Sequence, residues 1–173
     1  MRFLLFLVLL APALAAQQKV TPAVPFGGIY DVPEATVRPD TSLTYNFVVD
    51  VVTGSEEPDS LGEGLYRVAR MVNLFAVGGI PAEKVDVVLA IHGGATVGVM
   101  DNASYRERFG VDNPNIPLIR ALKEAGVRVT VCGQSLLGRG VPTEAVLPEV
   151  EIATSMLTTV AMYQMRGYGV MQF

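Results

Sequence analysis

Hydrophobic positions along this chain fall into two kinds of block that alternate. Residues 45–52 (Tyr-Asn-Phe-Val-Val-Asp-Val-Val) form a mostly apolar, β-branched run, as expected of a strand buried on both faces. Residues 85–91 and 127–131 repeat that character, and shorter runs at 150–153 and 170–173 predict two further strands. Between them, apolar residues recur at helical spacing. Leu65, Val68, Ala69, Val72 and Phe75 make one stripe. Leu118, Ile119, Leu122 and Ala125 make another, with Arg120, Lys123 and Glu124 on the opposite side and Gly126 as the C-terminal cap. Residues 154–166 predict a third helix, closed by Gly167. Ser60 and Glu63 have capping-box spacing at the head of the first helix, and Gly78, Gly79 and Pro81 stop it. The polar stretch 101–113 carries no periodic signal.

Residues 17–43 hold Pro22, Pro25, Pro33 and Pro39 with Gly27-Gly28, which predicts an extended arm draped over the domain. The remainder, 44–173, reads as one domain without an internal repeat. Strands alternating with helices, each connection long enough for a crossover, predict an α/β fold. It should be a three-layer α/β/α sandwich with a mainly parallel sheet of about five strands.

The first sixteen residues follow a different logic. Arg2 precedes an unbroken apolar run from Phe3 to Leu10, Pro12 breaks it, and Ala13-Leu14-Ala15 offers small residues for a signal peptidase. The run is too short to cross a hydrocarbon core of about 30 Å. The alternative is a retained anchor; cleavage near Ala15 or Ala16, giving a periplasmic or secreted protein without a stable membrane anchor, is the expectation. Losing Arg2 leaves 12 basic residues of 13 against 17 acids, a net charge near −5. No basic cluster stands against that balance, so nucleic acid is excluded as a partner. Charged residues make up only 17% of a chain that is 50% hydrophobic, which suggests that a second subunit covers apolar surface. The stretch 152–165 contains no charged residue, although a helix on one face of a sheet ordinarily has a polar outer side.

The single cysteine, Cys132, cannot form a disulfide within the chain. It is a buried structural thiol, half of an intermolecular bridge, or a reactive group. Ligands of open α/β sheets bind beyond the carboxyl ends of the strands. Three side chains fall near that edge: Asp50 late in the first strand, His92 after the second and Cys132 after the third. Asp50 also suits a loop-amide acceptor, and His92 a hydrogen-bonded turn residue before Gly93-Gly94. Gly133 and Gln134 follow Cys132 directly, and a turn into a helix there would favour a thiolate and leave the sulfur reachable from a cleft. Arg139 offers positive charge further on. Gly133 and Gly138 have phosphate-loop spacing, but Arg139-Gly140 replaces the required Lys and Ser or Thr. A nucleophile-elbow serine is absent. One His and one Cys are too few for a zinc site within one chain, and no cofactor is expected.

Residues 122–127 (Leu-Lys-Glu-Ala-Gly-Val) followed by 129–135 (Val-Thr-Val-Cys-Gly-Gln-Ser) resemble the cysteine strand of DsrE/DsrF-like proteins. The resemblance extends to Val88-Leu-Ala-Ile-His92-Gly, Asn113-Pro114-Asn115 and Gln164-Met-Arg-Gly-Tyr168, and so covers about 45–173. It implies a sulfur-handling ancestry in which the equivalent cysteine carries sulfane sulfur as a persulfide between partners. Only Cys132 takes that role here, with His92 beside it. The resemblance also implies a homotrimer or homohexamer. Known relays of this kind are cytoplasmic, whereas this chain carries an export signal. Two readings stay open: a thiol-dependent sulfur carrier using Cys132, exchanging with a donor or acceptor protein or a small sulfur compound, and a non-catalytic oligomeric module that binds a small ligand or protein, with Cys132 structural.

Overall fold

Each apolar run predicted to be a strand is one. β1 (Tyr45–Val51), β2 (Val85–Ile91), β3 (Arg128–Cys132), β4 (Glu151–Ala153) and β5 (Gly169–Gln172) form one sheet in the order β4-β3-β2-β1-β5, all neighbours parallel. The structure is a computed structural model describing residues 18–173. The expected signal segment therefore lies outside the described residues; among the described residues no helix is long and apolar enough to cross a membrane. Parallel neighbours need crossover connections. They are supplied by α1 (Glu63–Val77), by α2 (Asn102–Phe109) with α3 (Ile116–Glu124), by α4 (Gly133–Gly138), and by α5 (Met156–Met165).

The two faces of the sheet are unequal. Val49, Val51, Val87, Leu89, Ile91, Val129 and Val131 point to one face and pack with Leu65, Val68 and Val72 of α1 and Leu118, Ile119 and Leu122 of α3. This is the main core. On the other face Val48, Val88 and Ala90 pack with Tyr163 of α5, flanked by Met156, Val160 and Tyr168. Helix α5 connects the two edge strands and crosses this face in one pass. Arg128 anchors it by donating to Glu151 at 2.9 Å and to the Tyr163 hydroxyl at 3.0 Å. Tyr168 donates its hydroxyl proton to Asp86, and that bond pushes the phenol's pKa up.

Two local expectations change. Ser60 does not cap α1: its hydroxyl accepts from the Glu57 amide and donates to the Glu57 carbonyl. The helix starts later, with Gly62 as N-cap, and the Gly62 amide donates to Asn115 Oδ1 at 2.7 Å. A tertiary bond thus replaces the local box, and Glu63 instead meets Arg67 one turn on at 2.7 Å. The polar stretch contains α2, capped by Asp101, whose carboxylate accepts from the Ser104 amide. Only Tyr105 is buried in this helix, with Phe109 against it at a ring-centroid distance of 4.6 Å, so no apolar stripe announces it.

Residues 23–27 lie along α1, held by a buried polar residue. Asn73 Oδ1 accepts from the Ala23 and Val24 amides at 3.0 and 2.9 Å. Its Nδ2 donates to the Val24 and Phe26 carbonyls at 3.0 and 2.7 Å. Gly27, at φ 64°, lets the arm backbone close on the helix, because a Cβ there would stand 2.4 Å from the Arg70 nitrogen. Asn73→Ala strands these buried groups, at a cost of about 3 kcal/mol. Urea unfolding should show that loss, and limited proteolysis should cut the arm between 18 and 43 faster than in the wild type.

Candidate functional site

Parallel strands deliver their carboxyl ends to one edge, and the pleat decides which face each last side chain joins. Asp50, His92 and Cys132 share the phase of Val48, Val88 and Thr130, so all three lie on the α5 face. His92 and Cys132 each follow the register pair Ile91↔Val131 by one residue. Their backbones are therefore neighbours, at the strand spacing of about 4.8 Å. The structure brings together the three residues singled out from the sequence.

His92 Nε2 lies 2.5 Å from Asp50 Oδ1, with side-chain exposures of 22% and 12%. A carboxylate only accepts, so Nε2 carries the proton of this bond. Gln172, which the register pairs with Asp50, donates from Nε2 to Asp50 Oδ2 at 2.8 Å. The backbone holds the group as well: the His92 amide donates to the Val51 carbonyl at 2.9 Å and the Phe173 amide to the Asp50 carbonyl at 2.9 Å. The hydrogen-bonded readings of Asp50 and His92 thus converge, since each partners the other.

Cys132 is the N-cap residue of α4, but its sulfur makes no capping hydrogen bond. Among the described residues its one polar contact is with Ser155 Oγ at 4.0 Å, weak as thiol bonds are. Ser155 in turn caps α5, accepting from the Leu157 amide at 3.2 Å. Its carbonyl accepts from the hydroxyls of Thr158 and Thr159. The first turn of α5 is thereby fixed beside the thiol. Among the described residues no hydrogen bond joins the His92 ring to the sulfur.

The expected cleft does not reach Cys132, which is 4% exposed. Gly133 and Gln134 line an open hollow of about 580 Å³ with Leu136, Leu137, Ile152 and Ala153, and Cys132 is not part of its wall. The reason is the parallel pairing of Cys132 with Ala153, which brings β4 and the start of α5 over the sulfur. Arg139 stands at the far end of α4, where its carbonyl accepts from Arg108, and adds no charge at the thiol. A second hollow, apolar and about 320 Å³, lies at the opposite edge against Val85 and Val127, remote from this chemistry. No three His, Cys, Asp or Glu side chains among the described residues are placed to hold a metal ion.

Two site residues escaped the sequence reading, Gln172 and Ser155. A third support did carry a signal: Asn113 and Asn115 of the quoted motif are buried and stitch the edge loops together. Asn113 donates to the Gly98 and Met100 carbonyls at 2.9 and 2.6 Å, and its Oδ1 accepts from the Asn115 amide. Ser135 ties the turn after β2 to α4, accepting from the Gly93 amide and sharing a 2.6 Å bond with Thr96.

The sequence profile of the DsrE/DsrF-like family matches residues 47–173. The chain belongs to that family. Its fold is similar to that of a protein of unknown function, MTH1491 from Methanobacterium thermoautotrophicum, with a TM-score of 0.52 at 18% identity. It is also similar to the ychN protein from E. coli, with a TM-score of 0.54 at 21% identity. Each match covers 75% of this chain and 99% of the other. No curated protein matches the sequence. At these identities the two structures speak for the DsrE-like fold alone.

The turn after His92 gives a direct test of how the site is held. Gly93 has φ 55°, and a Cβ there would stand 2.7 Å from Val52 Cγ2. Gly93→Ala should cost about 2 kcal/mol in chemical denaturation, from the left-handed backbone and the clash together. A loss below the precision of the measurement would show that the turn can relax.

Proposed function

We propose that this DsrE-like protein is an exported, self-associating sulfur carrier whose Cys132 takes up sulfane sulfur as a persulfide. The supporting observation is the Asp50–His92 pair, largely shielded from water, at the same sheet edge and on the same face as the thiol. A packing cysteine needs no such neighbours, and paired ionisable groups partly withdrawn from water at a strand end are a common mark of a reaction site. The donor is a persulfide or thiosulfonate, carried by a small molecule or a protein. Burial of Cys132 suits storage, since a shielded outer sulfur is protected from oxidants and stray thiols. It also means that the first turn of α5 must yield for sulfur to enter.

The second reading is a binding module in which the thiol only fills space, and the 4% exposure of Cys132 favours it. Incubation with a thiosulfonate separates the two. The carrier gains one sulfur mass per chain, removable by dithiothreitol and absent from Cys132→Ser; a chain that gains none, and that resists alkylation until it unfolds, is the binding module. The same intact mass reports export. Cleavage leaves a chain beginning at Ala16 or Gln17, and a full-length mass from the envelope fraction excludes it.

Self-association, as a homotrimer or homohexamer, rests on the outer side of α5. Leu157 is 72% and Met165 90% exposed, with Ile152, Met162 and Val170 around them. No charge interrupts this surface between 152 and 165. Further copies of the same chain are the proposed cover. Light scattering at micromolar concentration should give an assembly mass, and Leu157→Glu with Met165→Glu should reduce it to the monomer. A monomeric wild type overturns the proposal.

A further inference from the structure

The geometry points to Gln172 as a positioning residue for thiol chemistry, an inference that rests on the carrier reading. Gln172 sits on β5 and does not touch the sulfur. Its amide donates to Asp50 Oδ2 at 2.8 Å, which leaves Oδ1 to receive His92 Nε2 at 2.5 Å. An imidazole with its proton committed on Nε2 has a bare Nδ1, and in the neutral ring that nitrogen is the acceptor. The carboxylate sets the tautomer, Gln172 holds the carboxylate in the orientation that meets Nε2, and His92 becomes able to take a proton. Its neighbour across the strand spacing is Cys132, one residue past Ile91↔Val131.

In the reaction, the Cys132 S–H proton passes to His92 Nδ1. The thiolate attacks the outer sulfur of the donor, forming a new S–S bond as the donor's own S–S bond breaks. The departing thiolate or sulfinate keeps that electron pair; a departing thiolate recovers the proton from His92, and where sulfinate departs the proton passes from His92 to the terminal sulfur of the new persulfide. The reaction is a transfer of sulfane sulfur, so no further oxidant or reductant enters. A positioned base of this kind contributes about a hundredfold or more.

The pattern of donors and acceptors makes a reversal test available. In Asp50→Asn, with Gln172 held as a donor as it is in the wild type, the new amide turns its oxygen to Gln172 and its NH2 to His92 Nε2, which places the proton on Nδ1. In Asp50→Asn with Gln172→Glu, the carboxylate accepts from the new amide, whose oxygen again receives Nε2–H. The chain has a single histidine, so its ring ¹⁵N resonances need no assignment among residues. The wild type and the double variant should show a protonated Nε2, and Asp50→Asn a protonated Nδ1. Initial rates of sulfur loading and of iodoacetamide alkylation should fall about a hundredfold in Asp50→Asn and recover to within about tenfold in the double variant. Gln172→Leu, at an exposed position on an edge strand, tests the same link without disturbing the carboxylate. It should leave Nε2 protonated, because the carboxylate still accepts, and slow both reactions about tenfold as the carboxylate loses its second hold. An unchanged tautomer across the series, or a double variant as slow as Asp50→Asn, overturns the role of Gln172. A wild type that alkylates and follows the tautomer pattern but loads no sulfur defeats the carrier reading and leaves the positioning role standing.

Discussion

Hydrogen bonding between parallel strands in register is the constraint from which the rest follows. Because β1, β2 and β3 run the same way, they finish at one edge, and because their registers are locked, their side chains alternate in phase. Asp50, His92 and Cys132 share a face for that reason alone, although 82 residues of sequence separate the first from the last. Slipping any strand by one residue would turn its contribution into the main core. The large cluster under α1 and α3 prevents the slip, since it would carry Val49, Val51, Leu89, Ile91, Val129 and Val131 to the wrong side.

The second face is where the molecule departs from an evenly covered sandwich. One helix crosses it, and that helix is apolar outside as well as inside. The same α5 supplies Ser155 beside the thiol and Leu157 and Met165 to solvent. Access to Cys132 and the proposed assembly therefore share one element. In the carrier, subunits seated on α5 brace the turn that shields the sulfur, so assembly and shielding are coupled through the helix rather than through contact with the site.

What could be read from the sequence follows the range of the interactions concerned. The strands announce themselves as apolar β-branched runs, α1 and α3 by an apolar stripe at helical spacing, and α5 by an uncharged stretch closed at Gly167. The convergence of Asp50, His92 and Cys132 was legible from topology, since strand ends in a parallel sheet meet whatever their spacing. Ser60 misled because a local pattern lost to a distant partner, Asn115. Helix α2 stayed hidden because it buries one residue and so imposes no period. Access to Cys132 was misjudged for a related reason: its position at a strand end was readable, but the return of the chain across it at Ala153–Ser155 depends on how β4 pairs.

Gln172 shows the limit most clearly. Nothing in residues 169–172 distinguishes a glutamine that faces solvent from one that holds a carboxylate. Its meaning comes from the pairing of β5 with β1, which sets it opposite Asp50 at a separation of 122 residues. Edge position matters too. The Val52 and Thr53 amides and the Asp50 carbonyl bind the Phe173 backbone, so β5 is drawn in at the level of the site. A strand that docks beside Asp50 brings its own donor with it, and the side chain of Asp50 is held by groups from both of its neighbours. The terminal strand is in this sense part of the site's electrostatics, not merely of its frame.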